Sequence, residues 1–181
     1  AILREVNRTP SEIVFILPNN KNIIMAAQQC EGLTEKQIIV IPTATVPQGI
    51  TAMMSFSPDE PDPQTIAQAM IAAAQTVSTA QITYAARNSD FDGFAINEGD
   101  YLALLDGKLF GTSRSMDELL EKLSEHAAEV VSEYIHIYTG EGVSEDEGAQ
   151  TEALFAQRCP DAEVAAIPGG QSVYFYIISI E

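Results

Sequence analysis

The first fifty residues of the chain alternate between short apolar runs and polar segments. The runs at 13–17 and 37–41 are rich in isoleucine and valine, which is typical of strands that are buried on both faces. The segment 23–31 between them has apolar residues at helical spacing. Because about twenty residues that contain a helix are enough to connect two parallel strands, the pattern predicts a parallel strand–helix–strand unit.

A polar loop follows each of these two predicted strands. Loops that leave the carboxyl ends of parallel strands converge on one edge of a sheet, where ligands or partners meet the protein. We therefore expect the two loops to lie side by side, with Arg87 as a further polar residue from a later loop. The candidate binding residues are Asn19, Asn20, Lys21, Asn22, Thr43, Thr45, Gln48 and Arg87.

The same polar residues also have a purely structural interpretation. Asn19 or Asn20 is suited to cap the helix that follows, and Asn and Thr side chains commonly shape turns. Lys21 lies close to the expected helix N-terminus, a position that is poor for the helix dipole but favourable for an arriving anion. The binding and the structural interpretations are therefore both kept as hypotheses.

The pattern downstream predicts helices at 48–56 and 64–78 and strands at 80–86, 91–96 and 100–105. Turns at Asn97-Glu98-Gly99 and Asp106-Gly107 would join the later strands and a short run at Lys108 into an antiparallel meander.

A second lobe is predicted to begin near Ser113. Its first helix would be capped by Ser115, with Glu118 placed to complete a capping box, and a later helix would be capped by Ser144. The last two strands would pair as a hairpin around Gly169-Gly170. The predicted fold class is α/β. Residues 1–112 would form a mainly parallel sheet with flanking helices and the meander, and residues 113–181 a smaller, acidic α/β lobe.

Charge narrows the range of partners. The 181 residues include nine basic and 26 acidic residues, for a net charge of −17, and the predicted second lobe alone carries −11. Such a surface repels nucleic-acid phosphate and anionic lipid, and no apolar run approaches the ~18–20 residues that span a bilayer. Two explanations of the acidity stay open. The charge keeps the protein soluble, or the acidic second half faces a basic surface on a partner.

The chemistry expected of a complete enzyme is missing from the sequence. Motifs of the types Gly-x-Ser-x-Gly, Gly-x-x-x-x-Gly-Lys, Cys-x-x-Cys and His-Glu-x-x-His do not occur. Cys30 and Cys159 lack metal-ligand spacing and fit free thiols at the core edge in a reducing cytoplasm. We therefore predict no catalytic residue, no metal site and no cofactor in this chain. It begins without Met, in mid-pattern, which suggests a fragment of a longer protein.

Several stretches resemble the C-terminal domain of the bacterial fatty acid kinase A subunit, which is related to the dihydroxyacetone kinases. The resemblance spans nearly the whole chain in order. The stretches that carry it are Leu17-Pro18-Asn19-Asn20-Lys21-Asn22-Ile23-Ile24, Ile41-Pro42-Thr43, Val46-Pro47-Gln48-Gly49-Ile50, Ile82-Thr83-Tyr84-Ala85-Ala86-Arg87, Asp92-Gly93 with Gly99-Asp100, Tyr138-Thr139-Gly140-Glu141, and Gly169-Gly170-Gln171 with the ending Ser179-Ile180-Glu181.

The resemblance implies a component of a phosphotransferase of bacterial lipid metabolism. In that family an N-terminal domain holds ATP and magnesium, and the C-terminal domain is associated with engaging a separate fatty-acid-binding protein that presents the acyl carboxylate. This chain would then be a non-catalytic docking domain. Two alternatives stay open: a stand-alone small-molecule phosphotransferase or anion- or fatty-acid-binding domain, with donors from the polar loops, and a homodimerisation domain that uses the apolar faces of helices 48–56 or 64–78.

Overall fold

The computed structural model describes residues 1–91 and 93–181 and divides them into two compact units, Ala1–Val77 and Ser78–Glu181. In the first unit the elements are α1 (Ile2–Arg8), β1 (Ile13–Ile16), α2 (Lys21–Gln28), β2 (Gln37–Val40), α3 (Val46–Met54) and α4 (Pro63–Gln75). In the second unit they are β3 (Ser78–Tyr84), β4 (Ser89–Phe91), β5 (Phe94–Ile96), β6 (Tyr101–Leu105), β7 (Lys108–Ser113), α5 (Met116–Glu129), β8 (Tyr134–Thr139), α6 (Glu145–Arg158), β9 (Glu163–Pro168) and β10 (Tyr176–Ile180).

The first unit contains the predicted parallel pair. β1 and β2 run parallel, with Ile13 opposite Gln37 and Ile16 opposite Val40, and α2 lies between them in the chain. The strand–helix–strand prediction is therefore confirmed.

Helices cover both faces of the β1–β2 sheet. On one face Val14 packs against a cluster that contains Val6 of α1 and Cys30, which follows α2. On the other face Phe15 packs against a cluster that contains Met70 of α4. This division follows from the period of two along a strand, which turns successive side chains to opposite faces.

The second unit is built on a sheet with the strand order β7-β6-β3-β10-β8-β9. Its neighbouring strands pair antiparallel except β8 and β9, which are parallel. The core beneath it includes Leu119 and Leu123 of α5, Phe155 of α6, and Tyr176 and Ile178 of β10. All five side chains are buried.

The α/β fold class is confirmed, but the large sheet is mostly antiparallel, not mainly parallel. Of the predicted meander, the β6–β7 hairpin is present, but β6 pairs on its other side with β3 and not with the strand predicted at 91–96. β3 also pairs with the C-terminal strand β10. The two units consequently divide between Val77 and Ser78, whereas the predicted boundary followed residue 112.

Two local predictions were wrong. β9 and β10 do not form a hairpin around Gly169-Gly170, because β8 lies between them in the sheet. The single strand predicted at 91–96 is instead the antiparallel pair β4 and β5, and Asp92 of that prediction lies outside the described residues.

Side-chain caps fix the starts of several helices. Ser115 caps α5 by accepting from the Glu118 N–H, but Glu118 bonds to Ser113 and Lys122 and does not return to the cap. The full capping box is found at α6, where Ser144 and Glu147 satisfy each other. The predicted cap at Ser115 is therefore confirmed, and its capping box is wrong.

The capping box of α6 predicts an acid-sensitive contribution to stability. The Glu147 carboxylate accepts from the Ser144 hydroxyl at 2.6 Å and from the Ser144 N–H at 2.8 Å, and these bonds lower the pKa of Glu147. Since the pKa is lower in the folded state, the stabilisation is present above the unfolded-state pKa and is lost as the pH falls through the folded-state value.

We expect Glu147→Gln to reduce the free energy of unfolding at neutral pH and to approach the wild type as the pH falls through the folded-state pKa of Glu147. Urea unfolding across this pH range checks the result. Glu145→Gln is the control, since it changes the same charge in the same helical turn. An equal pH dependence of both variants would contradict the role given to the capping box.

Candidate functional site

The two polar loops of the first unit are joined by hydrogen bonds. The Asn19 N–H donates to Thr43 Oγ1 at 3.1 Å, and the Thr43 hydroxyl donates to Asn19 Oδ1 at 2.8 Å. Thr43 is completely buried and Asn19 is half-buried. The predicted meeting of the loops is confirmed, and the binding role of their residues stays a prediction. We call Asn19, Asn20, Thr43, Thr45, Gln48 and Gly49 the loop rim.

Within the loop rim, Asn19 packs closely against Gly49 in the first turn of α3. A Cβ added at Gly49 would lie 2.1 Å from Asn19 Oδ1, which is far inside van der Waals contact. Asn19 also has a positive φ of 54°, which asparagine tolerates better than most side chains. The absence of a side chain at position 49 therefore allows Asn19 to reach Thr43.

Several loop-rim side chains have structural roles at helix ends. Asn20 caps α2 by accepting from the Asn22 N–H at 2.9 Å. Thr45 caps α3 by accepting from the Gln48 N–H, and Gln48 Oε1 accepts from the Ala44 N–H at 2.8 Å. The capping interpretation is thus confirmed for Asn20 and Thr45, while Lys21 and Asn22 are exposed in the first turn of α2.

An exposed apolar surface adjoins the loop rim. Met53 is 55% exposed and Met54 81% exposed, although α3 was predicted only as a helix with an apolar face. The groove at this surface has a volume of about 570 Å³ and is lined by Leu17, Asn19, Gly49, Ile50, Met53 and Met54. We call Ile50, Met53 and Met54 the methionine face. In the sequence this face is indicated by the apolar residues at 46, 50, 53 and 54, which are spaced as on one side of a helix.

Arg87 is separate from this group. It follows β3 in the second unit and is exposed, whereas the other seven predicted residues belong to the first unit. The sequence argument grouped Arg87 with them on polarity alone.

A second motif cluster was missed by sequence reasoning. Thr139 accepts through its carbonyl from the Gly169 and Gly170 N–H groups at 2.9 and 3.0 Å, and Gln171 Nε2 donates to the Tyr138 carbonyl at 2.9 Å. The ends of β8 and β9 are thereby joined, as expected of neighbouring parallel strands. We call Thr139, Gly140, Gly169, Gly170 and Gln171 the glycine junction.

The loop rim predicts a measurable effect of the Thr43 hydroxyl. We expect Thr43→Val to lower the free energy of unfolding by about 1–3 kcal/mol, because it removes both hydrogen bonds to Asn19 at nearly constant volume. Thr43→Ser keeps the hydroxyl and is expected to lose less. Denaturant titration of the three proteins measures the difference, and equal losses for Val and Ser would show that the link contributes no stability.

Metal-binding and membrane-spanning features are lacking in the described part of the chain. Among residues 1–91 and 93–181, no three or more His, Cys, Asp or Glu side chains are grouped so that they could hold a metal ion. Within the same residues no helix is both long and apolar enough to cross a bilayer. Cys30 and Cys159 are free and buried, and burial raises the pKa of the Cys159 thiol.

Comparison with known families decides the identity of the chain. The FakA-like C-terminal family, which is named for the A subunit of fatty acid kinase, matches residues 1–181. The chain belongs to this family. The stretches that suggested a fatty acid kinase resemblance include the glycine junction and all of the loop rim except Thr45, so the family likeness coincides largely with the two bonded loop clusters of the structure.

Curated relatives of this FakA-like domain are longer. Protein YloV of Bacillus subtilis (strain 168) is 37% identical over 180 residues, which cover 99% of this chain and 32% of YloV. A Staphylococcus aureus (strain USA300) protein is 30% identical over 181 residues, or 33% of its length. The chain therefore spans about a third of the relatives it matches.

Solved structures with a similar fold include fatty-acid-binding proteins and a kinase. A DegV family protein from Eubacterium eligens, loaded with heptadecanoic acid, has a TM-score of 0.69 at 17% identity, covering 100% of this chain and 76% of that one. The Streptococcus pneumoniae Fatty Acid Kinase (Fak) B3 protein, loaded with linoleic acid, has a TM-score of 0.67 at 13% identity, with coverages of 99% and 74%.

The dihydroxyacetone kinase from C. freundii, in complex with AMP-PNP and Mg²⁺, also shares the fold of this FakA-like domain. Its TM-score is 0.64 at 12% identity, covering 99% of this chain and 41% of that protein. The fold relation implied by the sequence resemblance is thus confirmed.

Proposed function

We propose that this chain is the docking domain of a bacterial fatty acid kinase. It would bind the fatty-acid-binding protein that presents an acyl carboxylate for phosphorylation. ATP and magnesium would be held by other parts of the longer protein, in the cytoplasm. The chain would contribute recognition, not catalytic residues.

One observation carries the proposal: an internally bonded polar rim lies beside an exposed methionine face. Large exposed apolar side chains with a polar border mark interaction sites more often than ordinary surface. Methionine is suited to such contacts because its flexible, polarizable side chain adapts to a partner. The family match supports the kinase context, and the fold shared with the Fak B3 protein supports a role alongside fatty-acid-binding proteins.

Calorimetric titration of the chain with its cognate fatty-acid-binding protein, loaded with a fatty acid, tests the proposal. We expect Met54→Lys to weaken binding by about tenfold or more, because a charge would enter a desolvated contact. Val131→Lys is the matched control, since Val131 is also 81% exposed and lies in the second unit. Lys21→Ala is expected to weaken binding without unfolding the chain.

Two results would count against docking through the methionine face. The wild-type chain would fail to bind at high micromolar concentration while the longer kinase binds, or Met54→Lys and Val131→Lys would weaken binding equally. The second result would leave docking possible only at a surface other than the methionine face.

A specific observation also favours a second function, direct binding of a fatty acid. The groove of about 570 Å³ combines apolar walls with Asn19 at its border, and proteins of the same fold are loaded with linoleic or heptadecanoic acid. A bound fatty acid at about 100 times its Kd would raise the free energy of unfolding by roughly 2.7 kcal/mol. A thermal-shift series with short and long fatty acids therefore separates this function from docking.

Homodimerisation through α3 is distinguished by light scattering. A dimer that Met54→Lys converts to a monomer would assign the methionine face to a second copy of the chain.

A further inference from the structure

The outer edge of β1 has unpaired backbone groups. Gln37 and Ile41 donate to the carbonyls of Glu12 and Ile16 at 3.0 and 2.9 Å, so the even-numbered residues of this segment face β2. Ile13 and Phe15 therefore point their N–H and C=O groups away from β2. The Ser11 hydroxyl donates to the Ile13 carbonyl, but among the described residues nothing pairs with the other three groups.

One edge strand of the second unit, β9, is protected in a way that β1 is not. On β9 the outward N–H of Ala166 donates to Glu152 Oε2 at 2.6 Å, and the next outward position is Pro168, which has no N–H. Charged side chains and proline are common means of preventing strand addition at an edge. β1, with the sequence Ile-Val-Phe-Ile, has neither.

The faces of the β1–β2 sheet are already covered, so only its edges are available. α1 and Cys30, which follows α2, lie on one face, and α3 and α4 lie on the other. Parallel sheets are normally buried on both faces and extend beyond two strands. All four residues of β1 nevertheless remain half-buried.

The position of α1 identifies which strand would fit this edge. Val6 of α1 and Cys30, which follows α2, belong to the same apolar cluster, so the segments that precede and follow β1 pack on the same face. Crossovers between parallel strands are right-handed in about 98% of cases. Two right-handed crossovers on one face step in the same direction. A strand entering α1 would therefore lie beside β1 on the side opposite β2.

We propose that the outer edge of β1 binds a further parallel strand, carried by the polypeptide that precedes α1 in the longer members of the family. The match covers 32% of YloV, so about two thirds of that protein lies outside it. The inference is independent of the docking function, since it concerns the outer edge of β1 and not the loop rim.

Hydrogen exchange in intact YloV tests the proposal. The amides aligned with Ile13 and Phe15 are expected to be protected to within about tenfold of those aligned with Val14 and Ile16, as in a strand paired on both sides. Exchange more than tenfold faster at the two outward amides would overturn the proposal. Protection that disappears on dilution to monomer would also overturn it, because the strand would then come from a second copy.

Substitution provides a second readout. In YloV, the change equivalent to Ile13→Pro removes one outward N–H, and the change equivalent to Ile13→Ala controls for lost side-chain packing. We expect the proline variant to melt at a clearly lower temperature than the alanine variant, because a ladder hydrogen bond is lost and the ring obstructs the added strand. Equal melting temperatures would overturn the proposal.

Discussion

Gly49→Ala is expected to abolish binding of the fatty-acid-binding protein while the second unit stays folded. The new Cβ would lie 2.1 Å from Asn19 Oδ1 and 2.6 Å from Asn19 Cγ, so the asparagine must leave its place. The bond that Asn19 Oδ1 accepts from the Thr43 hydroxyl would be lost, and the loop rim would open beside the methionine face. Calorimetric titration against the loaded partner measures the loss.

The stability of this variant is a balance of two effects. Alanine in place of glycine inside a helix is favoured by up to about 1 kcal/mol. Overpacking costs about 1–3 kcal/mol, and the lost bonds add to this cost. We therefore expect a net decrease in the free energy of unfolding.

A rescue variant makes the explanation specific. Asn19→Gly removes the obstructing side chain and suits the positive φ of 54° at this position. Combined with Gly49→Ala, it should restore stability but not partner binding, because the side-chain bond between Asn19 and Thr43 is still absent. If Gly49→Ala alone binds like the wild type, the loop rim is not part of the docking surface.

Gly140→Ala is expected to cause the largest loss of stability, about 3 kcal/mol or more, because the obstructing atoms cannot rotate away. A Cβ at this position would lie 2.2 Å from the carbonyl oxygen of Tyr174 and 2.9 Å from that of Gln171. Both are backbone atoms of the segment that leads into β10, the strand between β3 and β8. A shift there would disturb the centre of the large sheet.

Gly142→Ala is the matched control. Its Cβ would meet only the Phe175 ring, at 3.2 and 3.4 Å, and a side chain can give way by a few tenths of an ångström. Urea unfolding of both variants decides between them. A loss for Gly140→Ala no larger than that for Gly142→Ala would show that the segment before β10 adapts easily.

Together these variants assign separate tasks to the two units. The first unit presents the loop rim and the methionine face, and the second unit depends on a close backbone approach at the glycine junction. The charge is also unequally divided between the two units. Residues 1–77 carry four basic and seven acidic residues, and residues 78–181 carry five basic and nineteen acidic residues. A basic partner would therefore be attracted mainly by the second unit.

The sequence by itself determined the features that depend on near neighbours. The β-branched runs, the polar loops and the caps Asn20, Thr45 and Ser144 are local, and the parallel direction of β1 and β2 follows from the short helical connection between them. The meeting of Asn19 with Thr43 could be predicted for the same reason.

Only the tertiary structure decided which distant strands pair and where the chain divides. Tyr176 pairs with Ile82, 94 residues earlier, and nothing in the alternation of either strand specifies the other, because a period of two fits any partner. The close approaches that require glycine at positions 49 and 140 could not be predicted from the sequence either. Each is set by backbone or side-chain atoms from another loop, which come close only when the chain has folded.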